Sequence, residues 1–227
     1  MTYLDVVNKV LLRLRESRVD SFTSDYAQMI ALFVKEAVDE VELAWSWNSL
    51  NTTVSLTLVG GTDTYSLTGL GNSFIVDLVW NETKNYKILY PVPSNYLNGQ
   101  YTASTSSSPV ACGIYGVDSS GDPNLVFYPA PADADSVTVY AKTRSTYTGA
   151  TTDTILCPWE PVYYGALWRA MSEKGEDGGA MMDEIYAMFQ KSLGDWIARD
   201  AALQHTNTTW YAANACTNYP NYISESR

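Results

Sequence analysis

Two periodicities divide this chain, and their order along it constrains the fold more than any single residue does. Near both ends apolar residues recur at helical spacing, whereas the long middle alternates every second residue and is broken by Gly, Pro, Asn and Ser. Helices contributed from the two ends can close into one bundle while the interior emerges as a lobe of its own. The expected fold class is therefore α+β: a helical bundle built from N- and C-terminal helices, an inserted antiparallel β lobe and an extended C-terminal arm. The boundaries that follow are 1–48 and 156–205 for the bundle, 49–155 for the lobe and 206–227 for the arm.

Thr2 can cap a first helix running to about Arg15 or Ser17, with Leu4, Val7, Leu11 and Leu14 as its apolar stripe and Lys9, Arg13 and Arg15 outside. Thr23 or Ser24 can cap a second, longer helix through Tyr26, Met29, Ile30, Phe33, Ala37, Val41 and Trp45. Glu36, Asp39, Glu40 and Glu42 fall on the opposite side of that pattern, an acidic face turned to solvent or to a partner. Pro158, lacking an N–H, suits the first turn of a third helix through Val162, Ala166, Leu167 and Ala170 toward Lys174. Gly175 to Gly179 interrupts it. A last helix is predicted from about Ala180 to Leu203, its inward side formed by Met181, Ile185, Met188, Phe189, Trp196 and Ile197.

Between these helices Leu50, Thr52, Val54, Leu56 and Leu58 alternate as a half-buried strand does, and Gly60-Gly61 supplies a turn to Thr64–Leu67. Further strands are expected at Phe74–Trp80, Tyr86–Tyr90, Val110–Val117, Asn124–Tyr128 and Val137–Thr143. Short polar connections between them favour antiparallel pairing. Residues 98–108, rich in Ser and Thr, read as a mobile surface loop. Beyond His205 the chain is almost uncharged and shows neither period. Trp210, Tyr211, Tyr219 and Tyr222 make it too aromatic for an inert linker, so it is expected to order on a neighbouring molecule.

Composition narrows the function classes. The formal net charge of -11 argues against a nucleic-acid binder that grips phosphate through clustered Lys and Arg. The low charged fraction of 17%, with 17 Tyr and 7 Trp, suggests surface that faces other proteins. Cys112, Cys157 and Cys216 are widely spaced and odd in number, which offers no disulfide framework and fits a reducing compartment. No signal peptide is expected at the Met1-Thr2-Tyr3 start, and no apolar run reaches membrane-spanning length.

Catalytic chemistry finds little purchase. Ser or Cys nucleophiles need a positioned base, and His205 is the one histidine, placed at the end of the last predicted helix. Neither His205 nor the cysteines have metal-ligand spacing. Gly69-Leu70-Gly71 lacks the third Gly and the helix of a dinucleotide fingerprint. Glu36 with Glu40, one helical turn apart, are ordinary solvated residues, and Asp77, on a strand, is the better candidate for a glycosidase carboxylate. No catalytic, metal or cofactor residue is assigned, and the chain is read as a structural adaptor. The alternative is a carbohydrate- or receptor-binding module presenting an aromatic β surface.

Several stretches together resemble a known family. The opening Asp5 to Arg15, the Ala44-Trp-Ser-Trp-Asn48 end of the second helix, the strand-turn Thr57 to Leu67, Leu125 to Pro131 with Val137 to Tyr140, and Tyr164 to Ala170 are similar to the tail adaptors of short-tailed bacteriophages, also called tail tubular protein A. The resemblance spans nearly the whole chain in order. It implies a homo-oligomeric ring, of twelve copies, between the capsid portal and the tail nozzle of a virion, with DNA passing through without specific binding and no membrane partner. On that reading the arm carrying Trp210, Tyr211, Tyr219 and Tyr222 meets the portal. Glu36, Asp39 and Glu40 line the lumen or face a partner.

Overall fold

The computed structural model describes residues 1–71, 73–93, 106–174 and 180–218, with the backbone alone for 174, 180 and 204–218. Among these residues the helices are α1 Tyr3–Arg13, α2 Asp25–Ala44, α3 Trp159–Lys174 and α4 Ala180–Asn218. The strands are β1 Asn51–Thr57, β2 Thr64–Ser66, β3 Phe74–Asn81, β4 Tyr86–Ile88, β5 Ala111–Val117, β6 Pro123–Tyr128 and β7 Ser136–Thr143. The fold is mixed α+β with antiparallel sheets, as the two periodicities imply. Two compact units result: residues 1–49 with 145–227, and residues 50–144.

In the first unit α1 packs on α2 and α3, α2 on α3, and α3 on α4. Its opening turn is a capping box: the Thr2 hydroxyl accepts from the Asp5 N–H at 3.2 Å and the Asp5 carboxylate accepts from the Thr2 N–H at 3.0 Å. The buried stripe of α1 is Tyr3, Val6, Val7, Val10 and Leu11, rotated from the expected one, so Leu4 and Leu14 are half-buried. On α2, Ala27, Ile30, Ala31, Val34, Ala37, Val38 and Val41 turn inward, while Met29 and Phe33 are half-buried. These small and β-branched residues let the helices approach closely. The helices come close at Gly165 of α3, where a Cβ would lie 3.2 Å from both the Ala37 Cβ and the Phe189 ring. Trp47 is fully buried and donates its indole N–H to the Val41 carbonyl at 2.7 Å, satisfying one of the acceptors that the end of α2 leaves open.

Two expectations for this unit change. Met181 and Met188 of α4 are exposed, because the inward stripe descends through Ile185, Phe189 and Ser192. In addition α4 continues to Asn218, past the predicted end near Leu203. Residues 204–218 contain no Gly or Pro, and Ala212, Ala213 and Ala215 favour helix even where apolar spacing is absent.

The second unit holds two sheets, ordered β1-β7-β3-β4 and β2-β6-β5, with every strand pair antiparallel. Leu125 and Phe127 of β6, Val76 and Val79 of β3, and Val137, Val139 and Ala141 of β7 meet in one buried cluster between the sheets. Gly60-Gly61 does not close a hairpin, since β1 and β2 enter different sheets. It turns the chain between sheets, and a Cβ on Gly60 would lie 2.6 Å from the Ala132 carbonyl oxygen. First and last strands of the unit pair side by side from Asn51↔Lys142 to Thr57↔Ser136, so the interior segment leaves and returns at one place. Residues 98–105 of the predicted loop lie outside the described residues, and after them Ser107 is tied to Ala130 and Ala132 by backbone hydrogen bonds of 3.0 and 3.1 Å.

Candidate functional site

The acidic residues singled out on α2 do gather at one place. Glu36, Asp39, Glu40 and Leu43 of α2, with Trp168 and Arg169 of α3, line an open groove of about 700 Å³. Tyr186 of α4 completes its wall, its ring centroid 5.3 Å from that of Trp168. The i, i+3, i+4 spacing of the carboxylates puts them on one helical face, and the close crossing at Gly165 brings α3 alongside.

Their electrostatics differ from a bare acidic face. The Arg169 guanidinium reaches Glu36 at 3.3 Å and Glu40 at 2.7 Å, and is held in place by a 3.0 Å bond to the Gly165 carbonyl of its own helix. Lys35 pairs with Asp39 at 2.6 Å from one turn earlier. Three carboxylates therefore face one lining guanidinium, flanked by exposed apolar surface: Leu43 is 64% and Tyr186 42% exposed. Sequence spacing could not find Arg169, which approaches Glu40 from 129 positions away in the chain.

Glu42, expected on the same acidic face, is instead buried. Its carboxylate accepts from the Ser145 N–H at 3.1 and 3.2 Å and from the Ser145 hydroxyl, whose oxygen in turn accepts from the Leu156 N–H at 3.0 Å. The last turn of α2, the returning chain at Ser145 and the approach to α3 are thus joined through one charge. Burial, reinforced by the Glu42 charge, pushes the Tyr3 hydroxyl and the Cys157 thiol well above their ordinary ranges. Burial alone pushes Cys112 up to about 12. Both cysteines are thiols at neutral pH, not nucleophilic thiolates.

A second cavity of about 290 Å³ is lined by Glu160 and Tyr164 of α3 and by Ser192, Asp195 and Trp196 of α4, among others. Trp196 donates its indole N–H to Glu160 at 3.0 Å, and Arg199 lies 5.0 Å above the Trp196 ring. Asp77 is exposed at a β-bulge, with the Lys142 ammonium 4.0 Å from its carboxylate. Among the described residues no three His, Cys, Asp or Glu side chains gather to hold a metal, and no helix is long and apolar enough to cross a membrane. The exposed aromatics of the β unit among these residues, Tyr115 and Tyr140, sit on different sheets. Of the predicted arm residues, Trp210 and Tyr211 are on the backbone of α4, their side chains outside the described atoms, and Tyr219 and Tyr222 lie outside the described residues.

A family model described as SU10 adaptor protein matches residues 1–213. The chain belongs to the SU10 adaptor family. As such it is a structural adaptor of bacteriophage virions. None of the curated proteins matches this SU10 adaptor. A solved structure described as "Neck of empty GTA particle computed with C6 symmetry" is similar at 14% identity, covering 82% of this chain and 87% of that one with a TM-score of 0.29.

Proposed function

We propose that this SU10 adaptor joins the portal of the capsid to the tail nozzle as a closed ring of copies around the DNA channel, in the manner of tail tubular protein A. The observation that carries the reading is family membership over residues 1–213, nearly the whole chain. The physical layout supports it. A helical unit assembled from both ends and a β unit between them offer separate surfaces, as a subunit with more than one partner requires. Twelve copies is the number that the resemblance to tail tubular protein A implies. The net charge of -11 suits a channel that lets DNA pass without holding it.

In this reading the segment from Thr206 onward binds the portal, with Trp210, Tyr211, Tyr219 and Tyr222 as its anchors, and the β unit meets the nozzle. Individually weak arms gain affinity by acting together around a ring. Glu36, Asp39 and Glu40 belong to a face that contacts protein, because Arg169 and Lys35 offset much of the charge a channel wall would need. Deleting 206–227 and measuring retention on purified portal tests the arm: loss of retention is expected, and unchanged retention would defeat the assignment.

A further inference from the structure

We propose that the basic end of α1 in one copy docks into the groove formed by Glu36, Asp39, Glu40 and Leu43 of the next, a head-to-tail contact that builds the ring; this rests on the ring reading above. The segment from Leu12 to Arg18 carries the complement of that groove. Leu12 is 46% exposed, and Arg13, Arg15 and Arg18 are exposed with no ion pair among the described residues. Three arginines against Glu16 give the segment positive charge, while Glu36, Asp39 and Glu40 against Arg169 and Lys35 leave the groove a smaller net negative charge. Leu12 matches the apolar rim at Leu43 and Tyr186.

The basic segment is also held in shape at some cost. Helix α1 ends with the Glu16 N–H donating to the Leu11 carbonyl at 2.9 Å and the Arg15 N–H to the Leu12 carbonyl at 3.1 Å, the Schellman pattern. That pattern needs a left-handed residue, normally Gly, and here it is Arg15 at φ 60°. Strain kept at an exposed cation is the kind of feature that surrounding function retains. It fixes the direction in which Arg15 leaves the helix.

The two surfaces cannot satisfy each other within one copy. Tyr3 at the start of α1 lies near Asp39 and Glu42, toward the end of α2, so α1 runs antiparallel to α2 and Leu12–Arg18 sits at the far end of the pair. Along α2 that separation is on the order of 15–20 Å at the rise of a helix. Patches that are complementary but distinct make a heterologous contact, which closes into a ring when the rotation permits.

The test is self-association of the full chain, by sedimentation velocity and native mass spectrometry at low and high salt, alone and with portal. Arg15→Glu with Arg18→Glu, and separately Asp39→Lys, should each weaken assembly by about tenfold or more, with the wild-type assembly itself salt-sensitive. The combination of all three should recover much of the loss. Arg15→Gly should weaken assembly with an unchanged or higher melting temperature, separating a lost contact from a lost fold. Wild-type rings with indifferent variants, a combination no better than its parts, or rings that form normally but lose portal binding would each overturn the docking and leave the ring reading standing. A wild-type chain that stays monomeric with and without portal would overturn both.

Discussion

Glu42 offers the sharpest perturbation of the helical unit. The residue is 5% exposed and its carboxylate receives two donors from Ser145, the backbone N–H at 3.1 and 3.2 Å and the hydroxyl. Glu42→Gln keeps the volume but removes the charge and turns one acceptor into an NH₂ group facing a donor. A hydrogen bond to a charged group is worth about 1.5–3 kcal/mol, so a loss of roughly 2–3 kcal/mol is expected. Glu42→Ala strands both Ser145 donors and leaves a void, for which about 3–5 kcal/mol is expected. The paired change Ser145→Ala isolates the interaction in a double-mutant cycle, with a coupling of about 1–3 kcal/mol. Urea unfolding followed by Trp fluorescence suits the measurement, because six of the seven tryptophans lie outside residues 50–144. If both Glu42 variants unfold at the wild-type midpoint with an unchanged slope, the buried carboxylate is not what joins α2 to the returning chain.

Two further outcomes are expected. Gly165→Ala gains about 1 kcal/mol of helix propensity but must displace the Ala37 Cβ, 3.2 Å away and fixed to its own backbone, so the net change should stay within about 1 kcal/mol. Gly165→Val should lose roughly 2 kcal/mol or more in the same unfolding assay, and a valine variant as stable as wild type would refute the close helix crossing. The hydrogen bond from the Thr2 hydroxyl, and then the one with its backbone, holds the Asp5 carboxyl below the usual carboxylate range. A carboxylate with a depressed folded pKa contributes stability above its unfolded value and loses it as pH falls through the folded one. Thr2→Ala should therefore cost about 1 kcal/mol at neutral pH, with the difference shrinking in acid as Asp5 protonates. A constant difference across that titration would contradict the capping assignment.

Much of this architecture was legible because alternation and helical spacing report which side of an element is buried, and burial is what the sheets and helices respond to. All seven strands of the described residues coincide with stretches of alternating or bounded apolar residues, and Val137, Val139 and Ala141 of β7 are buried as their period requires. What period cannot report is pairing across the fold. Glu42 shares its helix face with Asp39 by spacing alone, and Ser145, 103 positions later, donates to its buried carboxylate. Likewise the carboxylates of the groove were visible in the sequence, but Arg169, which turns an acidic face into a partly neutralised apolar one, was not. The same tertiary pairing explains how an interior segment of this length can be carried by a bundle made from the ends. Antiparallel pairing of β1 with β7 brings residues 51 and 142 together within the β unit, and the Glu42–Ser145 bonds bring residues 42 and 145 together within the helical one. Each unit thus closes its own chain ends. Neither closure requires the other, so substitutions at Glu42 should be felt in the helical unit and leave the β1–β7 register intact, which amide exchange along β7 would read directly.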